Sequence, residues 1–255
     1  MKCTSFPVVA ALLVLETSAH YMFSHLIVNQ STTPDFKYVR DVGEDPVFAG
    51  TADSLGKIAP QFNIDSIDIT CGRSAFASAT KTQTADVVAG SELGFRLYDS
   101  MNPARAYPAT IFHPGPAQIY LSKAPNGELE NFSGIGEEAE WFKIASFTSA
   151  SETEWATYQK DSVNFTIPET TPAGKYLLRI EQFMPTSSFN YTQWYVNCAH
   201  INIIGRGGGS LQGYDFAKFP GSYDIMDPGL WIGWAQESQT SLSDYIAPGP
   251  AVWKG

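Results

Sequence analysis

The sequence is short of charge, short of histidine and nearly without cysteine. Charged residues make up 16% of its 255 positions, and acids outnumber bases 26 to 16, for a formal charge of −10. No basic run interrupts that balance. Nucleic acid and anionic membranes are therefore excluded as partners. After the N-terminal region no apolar stretch approaches the twenty residues that cross a bilayer. The zinc-protease pattern HExxH, the CxxC pair, the EF-hand loop and the nucleophile elbow GxSxG are all absent. No local pair of carboxylates points to a glycosidase, and no internal repeat or low-complexity block occurs.

What is present begins at the N-terminus. Lys2, the ten-residue apolar run from Phe6 to Leu15, and the small residues Thr17, Ser18 and Ala19 form the three parts of a secretory signal peptide. Residues 1–19 are expected to be removed, leaving one domain of residues 20–255 that starts at His20 and is exported from the cell. Cys3 leaves with the leader. Cys71 and Cys198 remain as an even pair in an oxidising compartment, so a disulfide between them is expected. It would close a loop of more than a hundred residues, stabilising by about 4–5 kcal/mol on the loop-entropy model. Asn29, Asn131, Asn164 and Asn190 each open an Asn-X-Ser/Thr sequon and are candidate glycosylation sites. Aromatics, at 13%, suffice for a core and for a surface that meets an uncharged partner such as carbohydrate.

Strand signals dominate the rest. Leu26–Val28, Asp68–Cys71, Leu93–Tyr98, Ala109–Phe112, Gln118–Leu121, Trp141–Phe147, Val163–Ile167, Tyr176–Phe183 and Gln193–Ile204 are short runs rich in β-branched and aromatic residues, separated by Pro and Gly. That pattern predicts an all-β sandwich. Helical turns are expected only at Glu137–Glu140 and Glu152–Gln159. Two segments are long and irregular, Asp41–Ile64 and the loop-rich C-terminal segment 205–255. The second carries so many aromatics that it is expected to pack on the domain and form part of its surface.

Four histidines remain: His20, His25, His113 and His200. Once Ala19 is removed, His20 offers both its α-amine and its imidazole. The amine, with an ordinary pKa near 7.7–8, must lose its proton to bind a metal. A third nitrogen would complete a planar set that favours Cu(II) over zinc. His113 is the best source, because Pro114, Gly115 and Pro116 hold it on a stiff turn. On the last strand Gln193 and Tyr195 share one face, and Trp194, Val196 and Cys198 the other. Ala199, Ile201 and Ile203 keep the first parity yet are apolar, so either a bulge near Asn197 or burial of both faces is needed.

Longer motifs add a resemblance. HYMFSHLIVN at the expected mature start, KYVR (37–40), DITC (68–71), HPGPAQIYLSKAP (113–125), WFKI (141–144), IPETTPAGKYLLRIE (167–181), QWYVNCAHINIIG (193–205) and FPGSYDIMDPG (219–229) occur in family order over nearly the whole mature chain. Together they resemble the fungal lytic polysaccharide monooxygenases of auxiliary-activity family nine, formerly glycoside hydrolase family 61. The resemblance implies an immunoglobulin- or fibronectin-III-like β-sandwich whose long loops form a flat copper-bearing face. It implies one copper ion per chain in a histidine brace, with amine and Nδ1 from His20, Nε2 from His113, Tyr195 as axial group and Gln193 as a donor beside the oxygen site. Many members carry a further histidine in the strand corresponding to 176–183 or just after it; here that region reads RIEQFMPTSSFNYT (179–192) and has none. His25 and His200 are left over, with packed or solvated roles expected.

The activity implied is oxidative cleavage of β-1,4-glucan, cellulose above all, at C1 or C4. It would use O2 or H2O2 and an external electron donor, either a small reductant or a redox protein, and the enzyme would work as a monomer. Tyr21, Tyr245 and Trp253 are candidate sugar-stacking residues. The competing reading is a secreted copper- or carbohydrate-binding protein of the same fold without turnover.

Overall fold

A computed structural model describes residues 20–47, 49, 55–98 and 109–255; the expected leader, residues 1–19, lies outside them. The described residues form eleven strands: β1 (Phe23–Val28), β2 (Ser31–Thr32), β3 (Ala85–Val88), β4 (Glu92–Leu97), β5 (Ala117–Lys123), β6 (Trp141–Phe147), β7 (Ser149–Ser151), β8 (Glu154–Trp155), β9 (Ser162–Thr166), β10 (Gly174–Met184) and β11 (Gln193–Ile204). A four-stranded sheet runs β2-β1-β4-β9, a five-stranded sheet runs β3-β11-β10-β5-β6, and β7 and β8 make a small hairpin. Among the described residues no helix is long and apolar enough to cross a membrane.

The two larger sheets enclose one apolar layer. Phe23, Leu26, Leu93, Phe95, Val163 and Phe165 face it from the first sheet, and Ile119, Leu121, Leu178, Ile180, Ala199 and Ile201 from the second. Phe95 meets Phe23 edge-on at 6.4 Å and stacks on Phe165 at 6.2 Å. Truncating such a buried ring to alanine costs about 3–5 kcal/mol. The outer face of the second sheet is covered as well. Trp194, Val196 and Cys198 pack there with Ile69, Phe132, Phe219 and Tyr223 from loops. This settles the parity of β11. It pairs with β10 in unbroken register from Met184↔Gln193 to Gly174↔Ile203, so there is no bulge, and both faces are buried.

Three sequence expectations need correction. Asp68–Cys71 is not a strand. Ile67–Ile69 is a single 3-10 turn, started by Ser66, whose hydroxyl accepts the Asp68 amide. Ala109–Phe112 joins no sheet; Ile111 instead exchanges main-chain bonds with 159–160. The segment 152–159 contains β8 where the sequence predicts a helical turn. Strand β3 has no counterpart among the predicted elements. It is only four residues long and pairs parallel with the far end of β11.

Cys71 and Cys198 are bonded, 127 positions apart, tying the 3-10 turn to β11. The C-terminal segment lies against the sandwich. Trp253 packs edge-on against Phe142 at 5.3 Å and its amide bonds Lys143 O. Pro248 O accepts Gln118 Nε2 and Lys143 Nζ. Beside these groups lies the fully buried Arg179–Glu181 ion pair, at 2.6 Å.

Candidate functional site

Strands β5, β10 and β11 of the five-stranded sheet share the end at which β11 begins. Gln193 opens β11 opposite Met184 at the end of β10, and Ala117 opens β5 opposite Gln182. Two chain segments enter this end from outside the strands. Residues 20–22 lead into β1, held by Phe23 N donating to Asn197 Oδ1 at 2.9 Å and Tyr98 N donating to Met22 O at 2.9 Å. Residues 113–116 lead into β5 as the turn His-Pro-Gly-Pro.

That turn is clamped from three sides. Phe183 N donates to Pro116 O at 3.2 Å, Thr157 Oγ1 to Gly115 O at 3.2 Å, and Gln182 Nε2 to His113 O at 3.0 Å. Gly115 lies so close to β10 that a Cβ there would fall 1.8 Å from Phe183 O, so only glycine fits.

The two entering segments bring their histidines together. The rings of His20 and His113 lie 5.9 Å apart, inclined at 31°. The Tyr195 ring stacks beside His113 at 5.8 Å and 17°, and its hydroxyl donates to Gln193 Oε1 at 2.9 Å. The four residues picked out by sequence thus converge. Burial pushes the His113 pKa down to about 4, with help from the charge of His20 if protonated, and burial lowers His20 as well. Both rings are therefore held neutral at physiological pH, the form with a lone pair to give to a metal. Burial also raises the Tyr195 phenol well above the ordinary tyrosine range, so it stays protonated and donates to Gln193.

His113 Nε2 is buried and has no hydrogen-bond partner among the described residues. A nitrogen sealed from water without a partner is costly unless something else binds it. Two neutral imidazoles, one with an orphaned nitrogen, form a donor set suited to a soft or borderline transition metal. Among the described residues no three His, Cys, Asp or Glu side chains gather to hold a metal, so a third strong donor would have to come from the main chain.

The proposed sugar-stacking residues lie elsewhere. Tyr21 is 3% exposed, stacked on Tyr195 at 4.0 Å, with its hydroxyl donating to Gln182 Oε1. Tyr245 packs edge-on against Trp155 at 4.8 Å, and Trp253 against Phe142; each is 6% exposed. None of the three presents a ring face to a polymer, and all three assignments are corrected.

Other aromatics are exposed at the histidine-bearing end. Phe112 stands at right angles to His113, 5.5 Å away. In the loop between β10 and β11, Phe189 packs edge-on with Trp231 at 5.3 Å, and Tyr191 contacts Phe62 at 5.3 Å. Trp231 is 42% exposed, and its indole N–H donates to Ser187 O at 3.0 Å. The signal for Phe189 and Tyr191 is in the sequence: two aromatics among Ser, Asn and Thr in a short connection have little core to enter. The two leftover histidines are structural. His25 sits between Thr33 O at 2.8 Å and Asp35 at 3.1 Å, and His200 accepts from Arg40 Nε at 2.9 Å. All four sequon asparagines are exposed.

The structure thus gives a two-sheet sandwich with two neutral histidines paired at one rim, a donor set that would suit a transition metal. Comparison with known proteins is more specific. The family model of Auxiliary Activity family 9 (formerly GH61) matches residues 20–245, and the chain belongs to that family. It is 50% identical over 250 residues to AA9 family lytic polysaccharide monooxygenase U of Thermothielavioides terrestris, covering 93% of each chain. To AA9 family lytic polysaccharide monooxygenase G of Aspergillus tamarii it is 37% identical, over 93% of this chain and 67% of that one. The fold matches the crystal structure of HiLPMO9B with a TM-score of 0.69 at 22% identity, over 92% of this chain and all of the other. The protein is a family 9 lytic polysaccharide monooxygenase, an oxidoreductase that acts on polysaccharide.

Proposed function

We propose that the chain, after removal of residues 1–19 and secretion, binds one copper ion and oxidatively cleaves β-1,4-glucan, cellulose above all, at C1 or C4. His20 would hold the ion through its amine and imidazole and His113 through Nε2, with Tyr195 as the third side chain of the site. The observation that carries this reading is the buried Nε2 of His113, without a hydrogen-bond partner among the described residues, on a ring 5.9 Å from that of the first residue of the expected mature chain.

Copper held there would supply redox chemistry, turning O2 or H2O2, with electrons from an external donor, into an oxidant for a sugar C–H bond. Hydroxylation of C1 or C4 makes a carbon that ejects the neighbouring sugar, so the chain breaks without hydrolysis. The protein's residues do the rest. The buried phenol of Tyr195 stays protonated and fixes Gln193 at the rim, where the amide can donate to a polar atom of the oxidant or the sugar. The exposed aromatics Phe112, Phe189, Tyr191 and Trp231 would give an uncharged polymer apolar surface to rest on, and the net charge of −10 gives no footing to a polyanion. A crystalline polymer cannot enter a pocket, so an open rim suits it.

The test compares protein beginning at His20 with protein retaining Ala19. The extra residue turns the terminal amine into an amide, which does not bind copper at neutral pH. Loss of one nitrogen and of the chelate ring should weaken Cu(II) binding by more than 100-fold, about 2.7 kcal/mol. With ascorbate and amorphous cellulose, only the His20-terminated protein should release oxidised oligosaccharides. Aldonic acids by mass spectrometry would assign C1, and 4-ketoaldoses C4. Equal copper binding and equal product from both proteins would sink the assignment.

A further inference from the structure

We propose that Gln182 is a positioning residue that, with Tyr21, locks the two histidine-bearing segments into one geometry. This rests on His20 and His113 being the metal ligands. Strand β10 faces the inter-sheet core with Tyr176, Leu178 and Ile180. The next inward position by strand alternation is Gln182, a fully buried amide where the pattern calls for an apolar side chain. Nothing in the activity of the family members named above assigns it a task.

Its hydrogen bonds supply one. Oε1 accepts from the Tyr21 hydroxyl, and Nε2 donates to His113 O at 3.0 Å and to Phe183 O at 3.2 Å. Tyr21 directly follows His20. One amide therefore bonds the neighbour of the first histidine and the backbone of the second. The two segments belong to different sheets: residues 20–22 lead into β1 of the four-stranded sheet, and 113–116 into β5 of the five-stranded sheet. No strand pairing joins β1 to β5, so their relative placement is set by side chains. The Tyr21 ring completes the device. It stacks on Tyr195 at 4.0 Å and lies 6.4 Å from the His113 ring, so tilting it would move the packing of both site rings.

A purely structural role would be to satisfy one buried tyrosine hydroxyl. Phenylalanine at 21 with an apolar residue at 182 would fill the same space without a polar group to satisfy. The bond from Nε2 to the carbonyl of His113 is what that role leaves unexplained. A partner that orients a ligand without touching the metal typically changes affinity or activity by about 10–100-fold when removed.

The experiment uses protein terminated at His20 and four variants: Gln182→Met, Tyr21→Phe, the double variant, and Gln118→Met. Gln118 is a second buried amide, bonded to Glu181 and Pro248 O on the sheet's other face. Cu(II) affinity by competition titration, the Cu(II) electron paramagnetic resonance spectrum and the melting temperature are measured for each. Gln182→Met should weaken copper by about 10-fold or more and change the spectrum. Tyr21→Phe should move both in the same direction, and the double variant should fall within about twofold of Gln182→Met, because the two residues act as one unit. Gln118→Met should lower melting while leaving affinity and spectrum as in the wild type.

The proposal is overturned if the folded Gln182 and Tyr21 variants keep wild-type affinity and spectrum, or if Gln118→Met shifts them equally. Should Gln182→Met not fold, Tyr21→Phe decides alone, since it keeps the ring stack and removes only the hydroxyl. Absence of tight copper binding in the wild-type protein itself would instead refute the ligand assignment on which the proposal stands.

Discussion

The buried pair Arg40–His200 gives the fold a defined sensitivity to acid. His200 lies on β11 beside Cys198, 1% exposed, and its Nε2 accepts from Arg40 Nε at 2.9 Å. The Arg40 guanidinium also donates to Leu129 O and Phe132 O, so it is fixed in place. Burial first, and then the adjacent guanidinium, hold the His200 pKa down at about 3, against 6.5 for an ordinary histidine. For a base with a depressed pKa, the unfolded chain takes up the proton first. The folded state thus has its full stability above pH 6.5 and loses it progressively as the pH falls toward 3. At pH 5 the unfolded histidine is about 1.5 pH units below its pKa and the folded one is still neutral, a loss of about 2 kcal/mol at about 1.36 kcal/mol per unit. For a chain of this size that is about 4–8 °C in melting temperature. The comparison is His200→Gln, whose side-chain oxygen can still accept from Arg40 but does not titrate. Urea unfolding at about pH 7.5 and about pH 5 should show the wild type losing about 2 kcal/mol more than the variant. Parallel losses in the two proteins, or a His200 ring that titrates near the ordinary histidine value by NMR, would refute the reasoning.

Tyr195→Phe should keep the fold at a cost of about 1 kcal/mol, the loss of one hydrogen bond to Gln193. Its Cu(II) paramagnetic resonance spectrum should change, and an unchanged spectrum would return Tyr195 to a packing role. Gly115→Ala places a Cβ 1.8 Å from Phe183 O and must displace the His113 turn. Copper affinity should therefore drop by at least about 10-fold, by calorimetry, even where the protein still folds. Trp231→Ala, at an exposed site, should leave melting within about 2 °C while weakening adsorption to insoluble cellulose in a pull-down. Undiminished adsorption would remove Trp231 from the substrate surface. Reduction of Cys71–Cys198 should lower melting by more than any of these single substitutions, in line with the loop it closes.

What is legible in the sequence follows from which physical signals are local. Gln193–Ile204 is readable at its observed bounds because a twelve-residue run rich in β-branched and aromatic residues, with no Pro or Gly, has few other fates. Its parity is not readable, because a strand buried on both faces shows no alternation, and only the tertiary fold supplies residues 58–75, 124–139 and 217–230 to cover the outer one. The His-Pro-Gly-Pro turn marks His113 from the sequence alone, since stiff turns are encoded locally, and the expected leader boundary points to His20, whose ring lies beside it. The depth of an aromatic is not local. Tyr21 stands beside a site residue in the chain yet lies beneath the surface, because alternation past residue 20 turns it toward Tyr195. Ile69 and its β-branched neighbour Thr70 suggest a strand at 68–71, but Ser66 caps the Asp68 amide and the turn closes first. Gln182 carries a signal of another kind: an amide inside an apolar alternation has to be satisfied, but which partners satisfy it depends on segments far away in the chain.

On the proposed reading, folding and activation are separable. Residues 21–23 are anchored by Tyr21 to Gln182, Met22 O to Tyr98 N and Phe23 N to Asn197, and none of these bonds involves the His20 nitrogen. A chain still carrying Ala19 can therefore place the His20 ring beside His113 just as the cleaved chain does. What it lacks is one nitrogen, because an amide cannot give up its proton to a metal at neutral pH as an amine can. Cleavage then adds a donor to a geometry already fixed, with little rearrangement left to do. The sheet ends and the Gly115 turn supply the rigidity, Gln182 and Tyr21 the alignment between sheets, and the peptidase the last ligand. On that reading the precise placement such a site demands comes from the anchored neighbours of His20 and not from the terminus itself.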